Sequence, residues 1–220
     1  VEVPLVKIFE LSTIKELGEY IKNAIKYDYE PIVPVGEKEF YEVSAAQKRL
    51  FILNQITNND TNYNMPYALI LNGEVNKKKL EDVLNKLVER HESLRTSFCN
   101  IDGHIVQKID NTVKFKIDYL EKSLEHNIDE QIKNSIRPFD LSKAPLFRVA
   151  LKELKENEHL LIFDMHHIIT DGVSMGIFIK EFTDLYEGIT LPELNVQYKD
   201  FAIWQNNLLQ SDKLKDQEEY

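Results

Sequence analysis

The chain has 220 residues, with 27 Lys and Arg against 37 Asp and Glu, for a formal net charge of −10. That surplus of carboxylates argues against a non-specific polyanion binder, which needs cations to neutralise phosphates. No apolar stretch approaches the ~20 residues of a membrane-spanning helix, and the single Cys99 leaves neither a disulfide framework nor a thiolate zinc cluster.

Residues 13–25 read as a helix, with Thr13 and Glu16 forming a capping box and Ile14, Leu17, Ile21 and Ile25 on one face. From Tyr27 to Tyr41 the sequence is non-periodic and punctuated by Pro31, Pro34 and Gly36, as in a linker. Ser44 is placed to cap a helix running through Leu53, with Ala46, Leu50 and Phe51 facing inward. Ala68 to Leu71 reads as a buried strand ended by the turn Asn72-Gly73. Leu80, Val83, Leu84, Leu87, Val88 and His91 follow the apolar spacing of an amphipathic helix. Asp102-Gly103 between the runs 94–99 and 104–109 predicts a hairpin. Leu124, Ile128, Ile132 and Ile136 mark a further helix stopped by Pro138. Residues 146–154 and 159–165 form a predicted strand pair, and a helix carrying Phe178, Phe182, Leu185 and Tyr186 ends at Gly188. This mixture of helices and hairpins predicts an α+β fold. With no basic, apolar leader at the start, a cytoplasmic setting is the expectation. Neither Val1, met in mid-pattern, nor the charged close Lys215–Tyr220 has the look of a natural terminus.

The segment Met165-His-His-Ile-Ile-Thr-Asp-Gly-Val-Ser174 carries the densest chemistry, directly after a predicted strand. A strand end fixes the backbone while the following turn exposes side chains. Successive strand residues point to opposite faces, so His166 and His167 cannot both face one pocket. One is expected to be structural, and the other suits general-base work because an imidazole titrates near neutral pH. Asp171 can orient an imidazole or pair with an arginine, and Gly172 leaves room for a substrate or a tight turn. A metal site is not expected, since the spacing lacks the i, i+4 histidine pair of a helical zinc site. Neither a phosphate-binding glycine loop nor a serine nucleophile elbow is found.

His166-His167-Ile-Ile-Thr-Asp171-Gly172 resembles the HHxxxDG signature of the condensation domain of nonribosomal peptide synthetases, shared with chloramphenicol acetyltransferase-like acyltransferases. Three further segments match in the family's order. Ser44-Ala-Ala-Gln47-Lys-Arg49-Leu50-Phe51-Ile-Leu53 resembles SxAQxRLxxL, and Arg90-His91-Glu92-Ser-Leu94-Arg95-Thr96-Ser-Phe98 resembles RHExLRTxF. Tyr198-Lys-Asp200-Phe201-Ala202-Ile-Trp204 is similar to YxDFAxW. Read blandly, these three segments are helix ends and packing, with Arg49 the one candidate for a polar network. Tyr63 to Tyr67 is either part of a donor channel or a surface loop.

The resemblance implies a chloramphenicol acetyltransferase-like lobe, a mixed or antiparallel sheet with flanking helices, as one of two lobes around a tunnel. It divides the chain into the last helices of a peptidyl carrier domain at 1–26, a linker at 27–42, and the N-terminal lobe with the start of the crossover at 43–220. It implies amide formation between a donor and an acceptor thioester, with His167 the catalytic residue at the reacting amine. His166, Asp171, Gly172 and Arg95 would support the site, with Arg95 as the buried ion-pair partner of Asp171. No cofactor is expected to bind directly, the 4′-phosphopantetheine arms being carried by upstream and downstream carrier domains. Other implied partners are an adenylation domain and the second lobe, but neither nucleic acid nor membrane. One lobe alone is expected to be inactive. Epimerisation domains share the histidine signature, and a lobe that only docks carriers is the non-catalytic alternative. Cyclising relatives replace both histidines and are excluded.

Overall fold

A computed structural model describes residues 3–24, 30–57, 60–121 and 127–211. The chain separates into two units, residues 1–32 and residues 33–220. In the first, α1 (Leu5–Glu10) and α2 (Ile14–Asn23) are joined at Thr13, whose hydroxyl accepts from the Glu16 N–H while the Glu16 carboxylate accepts from the Thr13 N–H. The capping box is as expected. Ile14 is 93% exposed and no residue of α2 is buried. Two short helices hold too few apolar side chains to close a core of their own. Ile25 and Tyr27, where the helix end and linker start were expected, lie outside the described residues.

The second unit opens with β1 (Tyr41–Glu42) and α3 (Ala45–Ile56), then β2 (Asn64–Asn72) and α4 (Lys77–Arg90). After a 3-10 turn at Glu92–Arg95 come β3 (Thr96–Ile101), β4 (His104–Ile109), β5 (Asp118–Leu120) and α5 (Ile128–Ser135). β6 (Phe147–Lys155), β7 (Glu158–His166), α6 (Gly172–Glu187) and α7 (Tyr198–Gln210) complete it. A three-stranded sheet has the order β1-β4-β3, and a four-stranded sheet the order β2-β7-β6-β5. β5 runs parallel to β6, and the other pairings are antiparallel. The fold is therefore α+β, as the sequence predicts.

Helices α4 and α6 bury their apolar stripes on one face of the larger sheet. Leu80, Val83, Leu84, Leu87 and Val88 of α4 are all buried, and Phe178 of α6 meets Phe163 of β7 edge-on at 5.6 Å between ring centres. A second core of Val43, Phe51, Phe98, Phe139, Leu141, Leu146 and Ile168 joins α3 and the smaller sheet to the segment after β7. The β3–β4 hairpin turns at Asp102-Gly103, both at positive φ (50° and 85°), where glycine is tolerated without strain.

Two expectations need correction. The run Ala68–Leu71 belongs to β2 but is not a buried strand: Ile70 is 44% exposed, because β2 lies at the sheet edge with β7 as its one partner. Ala46 is exposed on α3, and so is Arg49. The polar anchoring of this helix comes instead from Ser44, buried, whose hydroxyl caps Gln47 and lies 3.0 Å from the Tyr198 hydroxyl.

Candidate active site at the end of strand β7

Strand alternation separates the two histidines as predicted. Residues 161, 163 and 165 face the helices α4 and α6, and His167 continues that row beyond the strand end. His166 is fully buried on the opposite side, behind Asp164. The His167 N–H donates to the Tyr63 carbonyl (2.8 Å), extending the β2–β7 ladder by one bond and fixing the backbone on which the ring is mounted. Its side chain is exposed into a cleft of about 400 Å³.

The turn after β7 assigns opposite tautomers to the two rings. His167 Nδ1 lies 2.7 Å from the Thr170 carbonyl oxygen, which can only accept, so Nδ1 carries the proton and Nε2 is left as a bare acceptor. His166 Nδ1 accepts the Ile168 N–H (3.1 Å), so the proton of its neutral ring sits on Nε2. Burial, with a smaller contribution from His167, pushes the His166 pKa down to about 4, which keeps it neutral at physiological pH.

Asp171 is the N-cap of α6. Its Oδ1 accepts from the Ser174 N–H (2.7 Å) and the Ser174 hydroxyl (2.6 Å), and these bonds hold its carboxyl below the usual carboxylate range. The expected buried pair with Arg95 is not formed. Arg95 donates to the Asn111 side chain and the Asp110 carbonyl, and lies 3.7 Å from Glu92. Asp171 is exposed, and capping satisfies its carboxylate locally, so it needs no distant cation. Gly172 is the first helical residue, and a Cβ built there would meet nothing within 4 Å. It marks open space rather than a tight turn.

His91 and Glu181 line the same cleft; the sequence places His91 only on the helix stripe and in the Arg90–Phe98 segment, and does not single out Glu181. Arg90 holds Glu181 through two bonds, Nε to Oε2 (3.1 Å) and Nη2 to Oε1 (3.2 Å), and His91 Nε2 lies 2.6 Å from Oε2. Burial alone would raise the Glu181 carboxyl, but the hydrogen bonds from Arg90 and His91 outweigh it and hold it low. Gln197 ties the same corner to α7, donating to the Arg90 carbonyl and accepting the Glu92 N–H. Lys199 pairs with Glu92 at 2.8 Å. The segment Arg90 to Arg95 is thus more than a helix end; it is a charged junction between α4, α6 and α7. A glutamate on the Phe178/Phe182 stripe of α6 was the available signal.

A second polar knot lies on the buried side of β7. Asp164, only 2% exposed, accepts from Asn64 Nδ2 (2.8 Å) and pairs with Arg148 (3.3 Å). Burial raises its carboxyl, while the bonds from Asn64 and Arg148 pull the other way. An aspartate inside the apolar strand 160–165 was its sequence signature. Among the described residues, no cluster of three or more His, Cys, Asp or Glu is disposed to hold a metal ion, and no helix is long and apolar enough to cross a membrane.

The family model described as the condensation domain matches residues 37–220. The chain is 50% identical over 219 residues to gramicidin S synthase 2 of Aneurinibacillus migulanus, a match that takes in 100% of the chain and 5% of that protein. It is 47% identical over 220 residues to bacitracin synthase 3 of Bacillus licheniformis, covering 100% of the chain and 3% of that protein. The chain therefore spans a small part of the length of these synthetases. Among solved structures, the complex of the X-domain and OxyB from teicoplanin biosynthesis aligns with TM-score 0.76 at 26% identity, over 87% of this chain and 43% of that one. The starter condensation domain of rhizomide synthetase RzmA aligns with TM-score 0.71 at 20% identity, over 83% of this chain and 49% of that one, a likeness of fold. By sequence and by its chloramphenicol acetyltransferase-like α+β architecture, the chain belongs to the condensation-domain family of nonribosomal peptide synthetases.

Proposed function

We propose that residues 43–220 form the N-terminal lobe of a condensation domain in which His167 serves amide-bond formation between two carrier-bound thioesters. The observation that carries this reading is the His167 ring itself: exposed in the cleft, with Nδ1 held by the Thr170 carbonyl and Nε2 free to accept a proton. The acceptor's α-amine, with a pKa of about 7.7–8.0, is already partly neutral near pH 7. It attacks the donor thioester carbonyl, and as the C–N bond forms its proton passes to His167 Nε2. Collapse of the tetrahedral intermediate breaks the C–S bond, and the proton leaves with the thiol, restoring the neutral ring. The N-terminus of α6 lies beside this point, and the bare Gly172 backbone at its positive end favours a developing oxyanion.

The thioesters arrive on 4′-phosphopantetheine arms of upstream and downstream carrier domains, with an adenylation domain as a neighbour in the synthetase. Residues 1–26 are the last helices of the upstream carrier and 27–42 its linker. A second lobe supplies the other wall of the tunnel, so one lobe alone is inactive. Single-turnover condensation by the two-lobed domain, with both carriers loaded, tests the reading. His167→Ala lowers the rate by about 10²–10⁴ if His167 handles the proton; an unchanged rate reduces the lobe to a docking platform. Epimerisation of the donor without amide formation would move the chain to the epimerisation branch of the fold.

A further inference from the structure

His167 is mounted on a turn whose stiffness comes from the buried side of β7. His166 accepts the Ile168 N–H and so fixes the first residues of that turn. The His166 ring is itself braced by Phe139, edge-on at 6.2 Å and 89°. Phe139 belongs to the segment between α5 and β6, which has no regular secondary structure to hold it. Core packing of Phe139 and a bond from the Phe98 N–H to the Leu141 carbonyl (2.7 Å) anchor it on one side, and Arg148 clamps it on the other. The guanidinium lies 3.6 Å from the Phe139 ring centre and donates to two successive carbonyls, Nη1 to Arg137 (2.7 Å) and Nη2 to Pro138 (2.7 Å). Asp164 and Asn64 fix the guanidinium and the same strap from the strand side, Asn64 Nδ2 also donating to the Arg137 carbonyl (3.0 Å).

We propose that Arg148 is a positioning residue for His167, acting through the strap 137–139, the Phe139 ring and His166. The proposal rests on the catalytic reading of His167 given above. A planar fork is needed for this task, because one group must reach two carbonyls and lie flat on a ring at once. A lysine in its place keeps a cation beside Asp164 but cannot make that arrangement. The role is therefore separable from simple neutralisation of the Asp164 carboxylate. The clamp also borders a cleft of about 260 Å³, and the Arg148 side chain retains 21% exposure, so a small cation can enter from solvent.

The test uses the two-lobed domain with both loaded carriers. Arg148→Lys is expected to lower kcat by about 10- to 100-fold, the cost of slight misplacement of a reacting group, with KM for the carriers and the melting temperature nearly unchanged. Arg148→Ala is expected to lose rate in the same way and to recover part of it with added methylguanidinium. In a His167→Ala background, Arg148→Lys is expected to leave the residual rate untouched. A wild-type kcat in Arg148→Lys overturns the proposal, as does an equal fall in both backgrounds. If His167→Ala alone retains full rate, the catalytic reading fails first and this proposal falls with it.

Discussion

The two sides of the β7 end do different work with the same residue type. On the cleft side, His167 is exposed, carries its proton on Nδ1, and presents a bare Nε2. On the other side His166 is fully buried, carries its proton on Nε2, and spends Nδ1 on the Ile168 N–H. The cleft side is lined by a charged junction centred on Glu181, whereas the buried side is a packed ring stack backed by one ion pair. Strand alternation thus divides adjacent identical residues into an exposed ring open to solvent and a buried ring packed behind it, the arrangement on which the proposed function rests.

Substitutions on the two sides are expected to differ in both rate and stability. The largest effect is expected at His167, where the alanine variant loses about 10²–10⁴ in rate at nearly unchanged stability. The readouts are single-turnover rates and a urea melt. Next comes Glu181→Ala, which leaves Arg90 and His91 without their shared acceptor. It is expected to cost roughly 2–3 kcal/mol of stability, since one half of a largely buried pair is stranded. Equilibrium unfolding checks this, and a loss below half a kcal/mol would make the junction a surface feature.

His166 adds a pH dependence of known sign. Its folded pKa of about 4 lies below the ordinary 6.5, so between those values the unfolded chain binds more protons. Its contribution is present above pH 6.5 and lost as pH falls toward 4, by about 2 kcal/mol between pH 7 and pH 5. Denaturation at the two pH values measures the loss, and His166→Asn, which keeps an acceptor for the Ile168 N–H, should remove that part of the slope. The smallest effect belongs to Asp171→Ala, which deletes an N-cap and costs about 1 kcal/mol. A loss of 3–5 kcal/mol, as for a broken buried pair, would reinstate a distant cation as its partner.

Much of this was legible in the chain. Helix α4, the β3–β4 hairpin, the β6–β7 pair and the division of His166 from His167 follow from periodicity and turn residues. Periodicity reports a face without saying what covers it. The Ala68–Leu71 run of β2 therefore reads as buried, but Ala68 and Ile70 are exposed while Leu69 and Leu71 are half-buried against the main core. Pairings between distant residues were the least legible. Arg95 and Asp171 each found a nearer partner, in Asn111 and Ser174, because a local turn or cap satisfies a charge at less entropic cost than a long-range pair. Asp164 stands out inside the apolar run of β7 and Glu181 on the Phe178/Phe182 stripe of α6, but the arginine that answers each lies on another element.

The opposite tautomers of the two rings can be measured directly. Histidine-selective 15N NMR of the two-lobed domain at pH 7.5, assigned with His166→Asn and His167→Ala, distinguishes protonated from bare ring nitrogens. The expected result is a protonated Nδ1 and bare Nε2 in His167, and the reverse in His166. A protonated Nε2 in His167, or the same tautomer in both rings, would contradict it.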